Sequence, residues 1–193
     1  MKVLMLFKSA VLLVLFFSFD VSAGPIPNAL LVSLSTCPNS SSYFNCGFGL
    51  LHAGGLCVHP SGGADSPATG TPLILFSDCN TSSQARLRFR ILENGSLYHV
   101  SSGMCVHPEG GSKNPVNGTK LIFWPSCTDG PLSNIAGNPR LAFEFTPGGS
   151  IRHKNSGLCI HPSGGSANPA SGTQLVLWGG CDEYRLKFTM LPY

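Results

Sequence analysis

Three phrases of equal length constrain this chain more than anything else in it. They read GLCVHPSGGADSPATGTPLILFSDC, GMCVHPEGGSKNPVNGTKLIFWPSC and GLCIHPSGGSANPASGTQLVLWGGC, and each opens and closes on a cysteine pair 22 residues apart. Eight cysteines allow 105 pairings, and sequence normally cannot choose among them. The repeat chooses: Cys57 with Cys79, Cys105 with Cys127 and Cys159 with Cys181, which leaves Cys37 with Cys46. A loop of this size contributes roughly 3 kcal/mol per bridge in the chain-entropy model. Metal ligation through the three C-x-H pairs lacks a second C-x-x-C or H-x-x-x-H partner, so no metal or other cofactor is expected.

Each repeat divides into four short apolar pieces. They are FGLLHA, LCVHP, PLILF and RLRFRI in the first; GSLYHV, MCVHP, KLIFW and RLAFEF in the second; GSIRHK, LCIHP, QLVLW and RLKFTM in the third. The separators are Gly, Pro, Asn and Ser, the residues of turns. With 23 Gly and 15 Pro the chain reads as all-β, and four strands in each of three repeats make twelve. A solenoid of three such units would need capping repeats, which the chain lacks. Closing the units about a pseudo-threefold axis removes the sheet edges instead, and that architecture is the β-trefoil. The repeats are expected at about 48–95, 96–149 and 150–193, with no helix longer than two turns in Leu50 to Leu191. Leu87, Phe89, Leu141, Phe143, Leu186 and Phe188 are core candidates from the RLxF pieces.

The first 23 residues have a different character. Lys2 precedes an apolar run from Ala10 to Phe19, interrupted by Ser18, and the segment ends in Val21-Ser22-Ala23. That is the layout of a secretory signal, and the run is short for a membrane span, which needs roughly 20 residues. Residues 24–47 then form an N-terminal segment with the small Cys37–Cys46 loop, ahead of a domain over 48–193. The expected localisation is extracellular, with no membrane span in the mature chain. Removing Lys2, Lys8 and Asp20 from twelve basic and nine acidic residues leaves ten and eight, a balance that calls for no nucleic acid.

H-P-x-G-G, then N-P, then a Thr leading into a leucine-rich strand, resembles the mytilectin-type β-trefoil lectins. The resemblance runs from His52 to Phe188, while the bridge between second and third strands is similar to ricin-type trefoils, whose Q-x-W motif is absent. It implies binding of galactose or N-acetylgalactosamine through the His and glycines: His59, Gly62 and Gly63; His107, Gly110 and Gly111; His161, Gly164 and Gly165. The family's second element, H-x-D-x-H on the third strand and its turn, is mostly replaced. Repeat one keeps Asp78 but has Phe76 and Asn80 for the histidines; repeat two has Trp124 and Ser126; repeat three has Trp178 and Gly180, with Asp182 later.

Elementary chemistry agrees with part of this. A sugar needs convergent hydrogen-bonding groups to replace lost water, and an apolar face. A histidine beside a Gly-Gly turn offers a ring nitrogen and closely approached amides, Asp78 offers a directional acceptor, and Trp124 and Trp178 offer stacking faces. Each has a plainer alternative. His59, His107 and His161 can serve a backbone carbonyl in a repeat turn, the tryptophans can be core residues, and the glycines can be turn residues alone. His52, His99 and His153, on the first strands, read as packed and hydrogen-bonded.

With no G-x-S-x-G, no H-E-x-x-H and all six histidines at repeated positions, the chain reads as a binder and not an enzyme. N-glycosylation sequons stand at Asn39, Asn80, Asn94 and Asn117, with Asn80 and Asn117 expected beside the sites of repeats one and two. The insertion 128–139 breaks the symmetry, as a plain loop or a partner-specific feature. Two functions follow: a secreted galactose-type lectin whose partners are glycans or glycoproteins, or a disulfide-stapled trefoil serving as an interaction or inhibitor scaffold with degenerate sugar sites. In the first, repeat one is expected to be strongest because of Asp78.

Overall fold

The computed structural model describes residues 47–80, 84–92, 94–127 and 140–192. The leader 1–23, the segment to residue 46 with Asn39 and the Cys37–Cys46 bridge, and the insertion 128–139 lie outside the described residues. Twelve strands run in chain order: β1 Phe48–His52, β2 Cys57–Pro60, β3 Leu73–Phe76, β4 Phe89–Ile91, β5 Leu97–His99 and β6 Met104–Pro108, then β7 Thr119–Trp124, β8 Phe143–Phe145, β9 Ile151–His153, β10 Cys159–Pro162, β11 Thr173–Trp178 and β12 Phe188–Pro192. Three single-turn 3₁₀ segments, Ala85–Leu87, Glu109–Gly111 and Tyr184–Leu186, are the helical structure among the described residues.

The pairing register repeats. Second and third strands form antiparallel hairpins in which Cys57 faces Phe76, Cys105 faces Trp124 and Cys159 faces Trp178. Two residues further along the second strand, His59 faces Ile74, His107 faces Ile122 and His161 faces Val176. The bridges Cys57–Cys79, Cys105–Cys127 and Cys159–Cys181 hold each hairpin at its open end, with Cα separations of 5.4, 5.2 and 5.4 Å. These lie inside the range of roughly 4.4–6.8 Å that a disulfide spans.

Third strands also pair with one another across repeats: β3 with β11, β11 with β7, and β7 with residue 72 through the Pro72–Ile122 bridge. First and last strands close the other end, β1 pairing β12 over five residues. Each third strand is thereby paired on its outer side by a neighbouring repeat, which is how an all-β chain limits an exposed ladder.

The core is what the alternation requires. Val58, Val106 and Ile160 on second strands, with Leu75, Phe123 and Leu177 on third strands, join Phe89, Phe143 and Phe188 in one buried cluster. Leu87, Leu141 and Leu186 are buried with them. Because the third strand is covered on both faces, Leu121, Ile122 and Phe123 are all buried in succession.

Beneath this core the first-strand histidines tie the repeats together. Nε2 of His52 donates to the Arg185 carbonyl at 2.6 Å, that of His99 to Arg86 at 2.9 Å and that of His153 to Arg140 at 3.0 Å. Each donor therefore holds the arginine of the preceding repeat. On the other ring nitrogen, the Ser102 hydroxyl meets His99 Nδ1 at 2.7 Å and the Ser156 hydroxyl meets His153 Nδ1 at 2.8 Å.

Candidate functional site

Three concavities repeat around the molecule, one per hairpin, of about 390, 370 and 400 Å³. These volumes fall within the roughly 300–1,000 Å³ of small-molecule sites. The first is lined by His59, Pro60, Gly62, Gly63, Ile74, Phe76 and Arg86. The second has His107, Pro108, Gly110, Gly111, Ile122, Trp124, Ser126 and Arg140. The third has His161, Pro162, Gly164, Gly165, Val176, Trp178 and Arg185, with Gln174 and the neighbouring repeat's Gly118 and Lys120. The structure thus brings each H-P-x-G-G turn together with the end of its third strand.

The rings are fixed from below. His59 Nε2 donates to the Asp78 carbonyl at 2.5 Å, and His107 Nε2 to the Ser126 carbonyl at 2.5 Å. With Nε2 carrying the proton, Nδ1 is the acceptor left to the His59 ring. His161 lies beside the carbonyls of Trp178 and Gly179 without reaching hydrogen-bond geometry with either, and the Gln174 amide nitrogen in the same cavity also lacks a partner. Burial lowers the pKa of His59 and of His161, outweighing the neighbouring carbonyls, so both rings are neutral at pH 7.

The paired glycines are forced by backbone geometry. In the third repeat Gly164 and Gly165 take φ of +80° and +68°, two successive left-handed residues that only glycine adopts without strain. A Cβ on Gly165 would sit 2.8 Å from Arg185 Nη1, and that guanidinium donates to the Gly165 carbonyl. The turn glycines therefore serve as the arginine's seat as well as the cavity floor.

Arg86, Arg140 and Arg185 are what the sequence reading missed. Their signal was present, a repeated Arg before the core Leu, but it was read only as part of the inward pattern. Arg86 is held by Asp78 at 3.1 Å and Arg185 by Glu183 at 2.5 Å. Asp78 stands on the third-strand turn, whereas Glu183 stands at the entry to the 3₁₀ turn where repeat one has Gln84. The two repeats reach the same ion pair from different positions, so Asp78 is not the one carboxylate of its kind. Gln84 also donates to Asp78, at 2.5 Å, and this bond, then the Asn80 amide and Arg86, depresses the Asp78 pKa.

Two further expectations change. Trp124 and Trp178 are 44% and 48% exposed on the cavity rims, with Phe76 matching them at 42%, so the core alternative fails for the tryptophans. Asn117 does not border the second cavity. Its Oδ1 accepts from the Gly179 amide at 3.0 Å, beside Trp178, because β7 runs against β11 with Thr119 facing Leu177. Asn80 does stay with repeat one, its amide donating to Asp78 Oδ1. Asn94 is half-buried, its amide nitrogen donating to the Cys127 carbonyl.

The profile of the alpha-D-galactose-binding lectins, MytiLec, matches residues 50–138 and 132–190. The chain belongs to this family. It is a carbohydrate-binding lectin. A search of curated proteins finds no match for this lectin. Among solved structures it is similar to the agglutinin from Abrus precatorius, at TM-score 0.58 and 17% identity, over 80% of this chain and 51% of that one. It thus spans about half of the agglutinin chain. It is also similar to ThreeFoil, a designed 3-fold symmetric protein (TM-score 0.57, 13% identity), and to the earthworm R-type lectin C-half in complex with GalNAc (0.56, 13%). Each of these two alignments covers 76% of this chain and 98% of the other. At such identities the likeness speaks for an all-β lectin-type fold alone. No helix among the described residues is long and apolar enough to cross a membrane.

Proposed function

We propose that this lectin is a secreted, galactose- or N-acetylgalactosamine-type β-trefoil that binds glycans or glycoproteins through three pseudo-equivalent H-P-x-G-G cavities. The observation that carries the reading is the convergence of a buried histidine, a left-handed Gly-Gly turn, an exposed aromatic and an arginine in one cavity of each repeat, with the ring held by a carbonyl in the first two. The ring Nδ1 of His59 accepts a sugar hydroxyl, the arginine donates to hydroxyl oxygens, and Phe76, Trp124 or Trp178 covers the apolar CH face. The carboxylates beside the cavities, Asp78 and Glu183, are engaged by Arg86 and Arg185, and the reading is binding without turnover. The leader Met1–Ala23 and the sequons at Asn39, Asn80, Asn94 and Asn117 support secretion as a glycoprotein.

The test is a glycan array followed by calorimetry with methyl galactosides on oxidised, unglycosylated protein. Terminal galactosides should be bound, with affinity lost when His59, His107 and His161 are all replaced by alanine. An array on which no galactoside binds would transfer the protein to the alternative, an interaction or inhibitor scaffold on the same fold.

A further inference from the structure

Across the apolar wall of each cavity stands a residue from the neighbouring repeat, and it differs at all three. Gln174 faces Ile74, Pro72 faces Ile122, and Lys120 faces Val176. Of these three cross-strand partners, Gln174 and Lys120 both line the third cavity, which therefore gains an amide and an ammonium on its apolar wall. Gly118 and Lys120 accordingly line the cavity of His161, and Lys120 is exposed.

The other cation of that cavity, Arg185, is already occupied by Glu183 and the Gly165 carbonyl. Lys120 takes part in none of the ion pairs among the described residues. The third cavity therefore keeps one positive charge on its rim, whereas in the first Arg86 is balanced by Asp78.

We propose that the third cavity selects galactosides bearing an anionic substituent, a sulfate ester or a carboxylate, which Lys120 receives while His161, the Gly164–Gly165 turn and Trp178 hold the ring. The proposal rests on the galactoside reading above and adds the class of ligand to one site of the three. A solvent-exposed ammonium meeting an anion adds about fivefold in affinity at best, and salt screens it.

The experiment titrates methyl galactoside, its 3-sulfate, its 6-sulfate and methyl galacturonide into oxidised, unglycosylated protein. The Trp178 and Trp124 indole N–H signals report the third and second cavities separately. At low salt at least one anionic ligand should bind at Trp178 about fivefold tighter than the neutral parent. That ratio should fall towards one at high salt and in Lys120→Gln, invert in Lys120→Glu, and persist in Lys120→Arg. Which anion wins separates the sulfate from the carboxylate. Equal affinities at Trp178, a preference that survives Lys120→Gln, or inorganic sulfate alone binding as tightly would overturn the proposal. Failure of the neutral parent to bind at any cavity would instead overturn the galactoside reading beneath it.

Discussion

At the scale of single residues, the sites turn on which ring nitrogen is free. The Asp78 carbonyl can only accept, so His59 must present Nε2–H to it and Nδ1 to a ligand. A protonated ring has no acceptor left, and galactoside binding at the first cavity should weaken as pH falls below the ordinary histidine range, because burial lowers this pKa. Titration of the site between pH 8 and 5, with ¹⁵N spectra of the imidazole, checks both the tautomer and the loss; binding that strengthens on acidification would show the ring to be a donor. The carboxylates act one step away, by holding Arg86 and Arg185. Both pairs are partly exposed, so solvent screens them and each holds its arginine only weakly. Asp78→Asn and Glu183→Gln should therefore each weaken their own cavity by about two- to fivefold and leave the other unchanged, as read by site-resolved NMR titration. A first cavity that alone depends on its acid would restore Asp78 to the special place the motif gives it.

At the scale of elements, the hairpin of second and third strands is the functional unit, and its bridge does two things. Cys79 and Cys127 directly follow the carbonyls of Asp78 and Ser126 that fix the rings, so each disulfide holds the histidine's partner in place as it closes a 22-residue loop. Removing one pair, as Cys105→Ser with Cys127→Ser, should cost about 2–4 kcal/mol in denaturant unfolding and weaken the second cavity most. Unchanged binding at Trp124 in that variant would separate the bridge from the site. This level was largely legible in the chain, because equal cysteine intervals and the Leu-x-Phe alternation are local patterns that survive without coordinates. The buried Phe89, Phe143 and Phe188 follow from them directly. Arg86 escaped because its use depends on a 3₁₀ turn folding back over Gly62–Gly63, a contact between elements that spacing does not encode. The exposure of Trp178 stayed open between a stacking face and a core residue, because Leu175, Val176 and Leu177 are buried in succession and the run conceals where burial ends. Lys120 and Asn117 were out of reach altogether, since repeats declare equivalence but not which repeat is whose neighbour.

At the scale of the whole molecule, acid should act on the fold through its buried rings before it acts on its ion pairs. His52, His59, His99 and His161 all have lowered pKa values, in each case chiefly because burial disfavours the charged form. The unfolded chain then binds more protons than the folded one over the window just below the ordinary histidine value of 6.5, so stability rises with pH there. It is fully present above pH 6.5 and is lost as pH falls through the folded-state values. His52 and His99 hold the carbonyls of Arg185 and Arg86 through Nε2–H, bonds that favour the charged ring, so the cost of charging lies in burial and, for His52, in the Gly54 amide that donates to Nδ1. Asp78 and Glu183, lowered from 3.8 and 4.5 by Gln84 and by Arg185 as their leading partners, contribute in the same direction but later, as the pH falls below those values. The expected acid profile has two descents, a first that sets in below about pH 6.5 and a second that sets in below about pH 4.5. Denaturant midpoints measured at constant ionic strength from pH 8 to 3, with the disulfides intact, give the curve. His99→Gln should flatten part of the first descent while lowering stability at pH 8, because the Arg86 carbonyl loses its buried donor. A midpoint that stays level from pH 8 to 5 would show that these histidines are as easily protonated in the fold as in the unfolded chain.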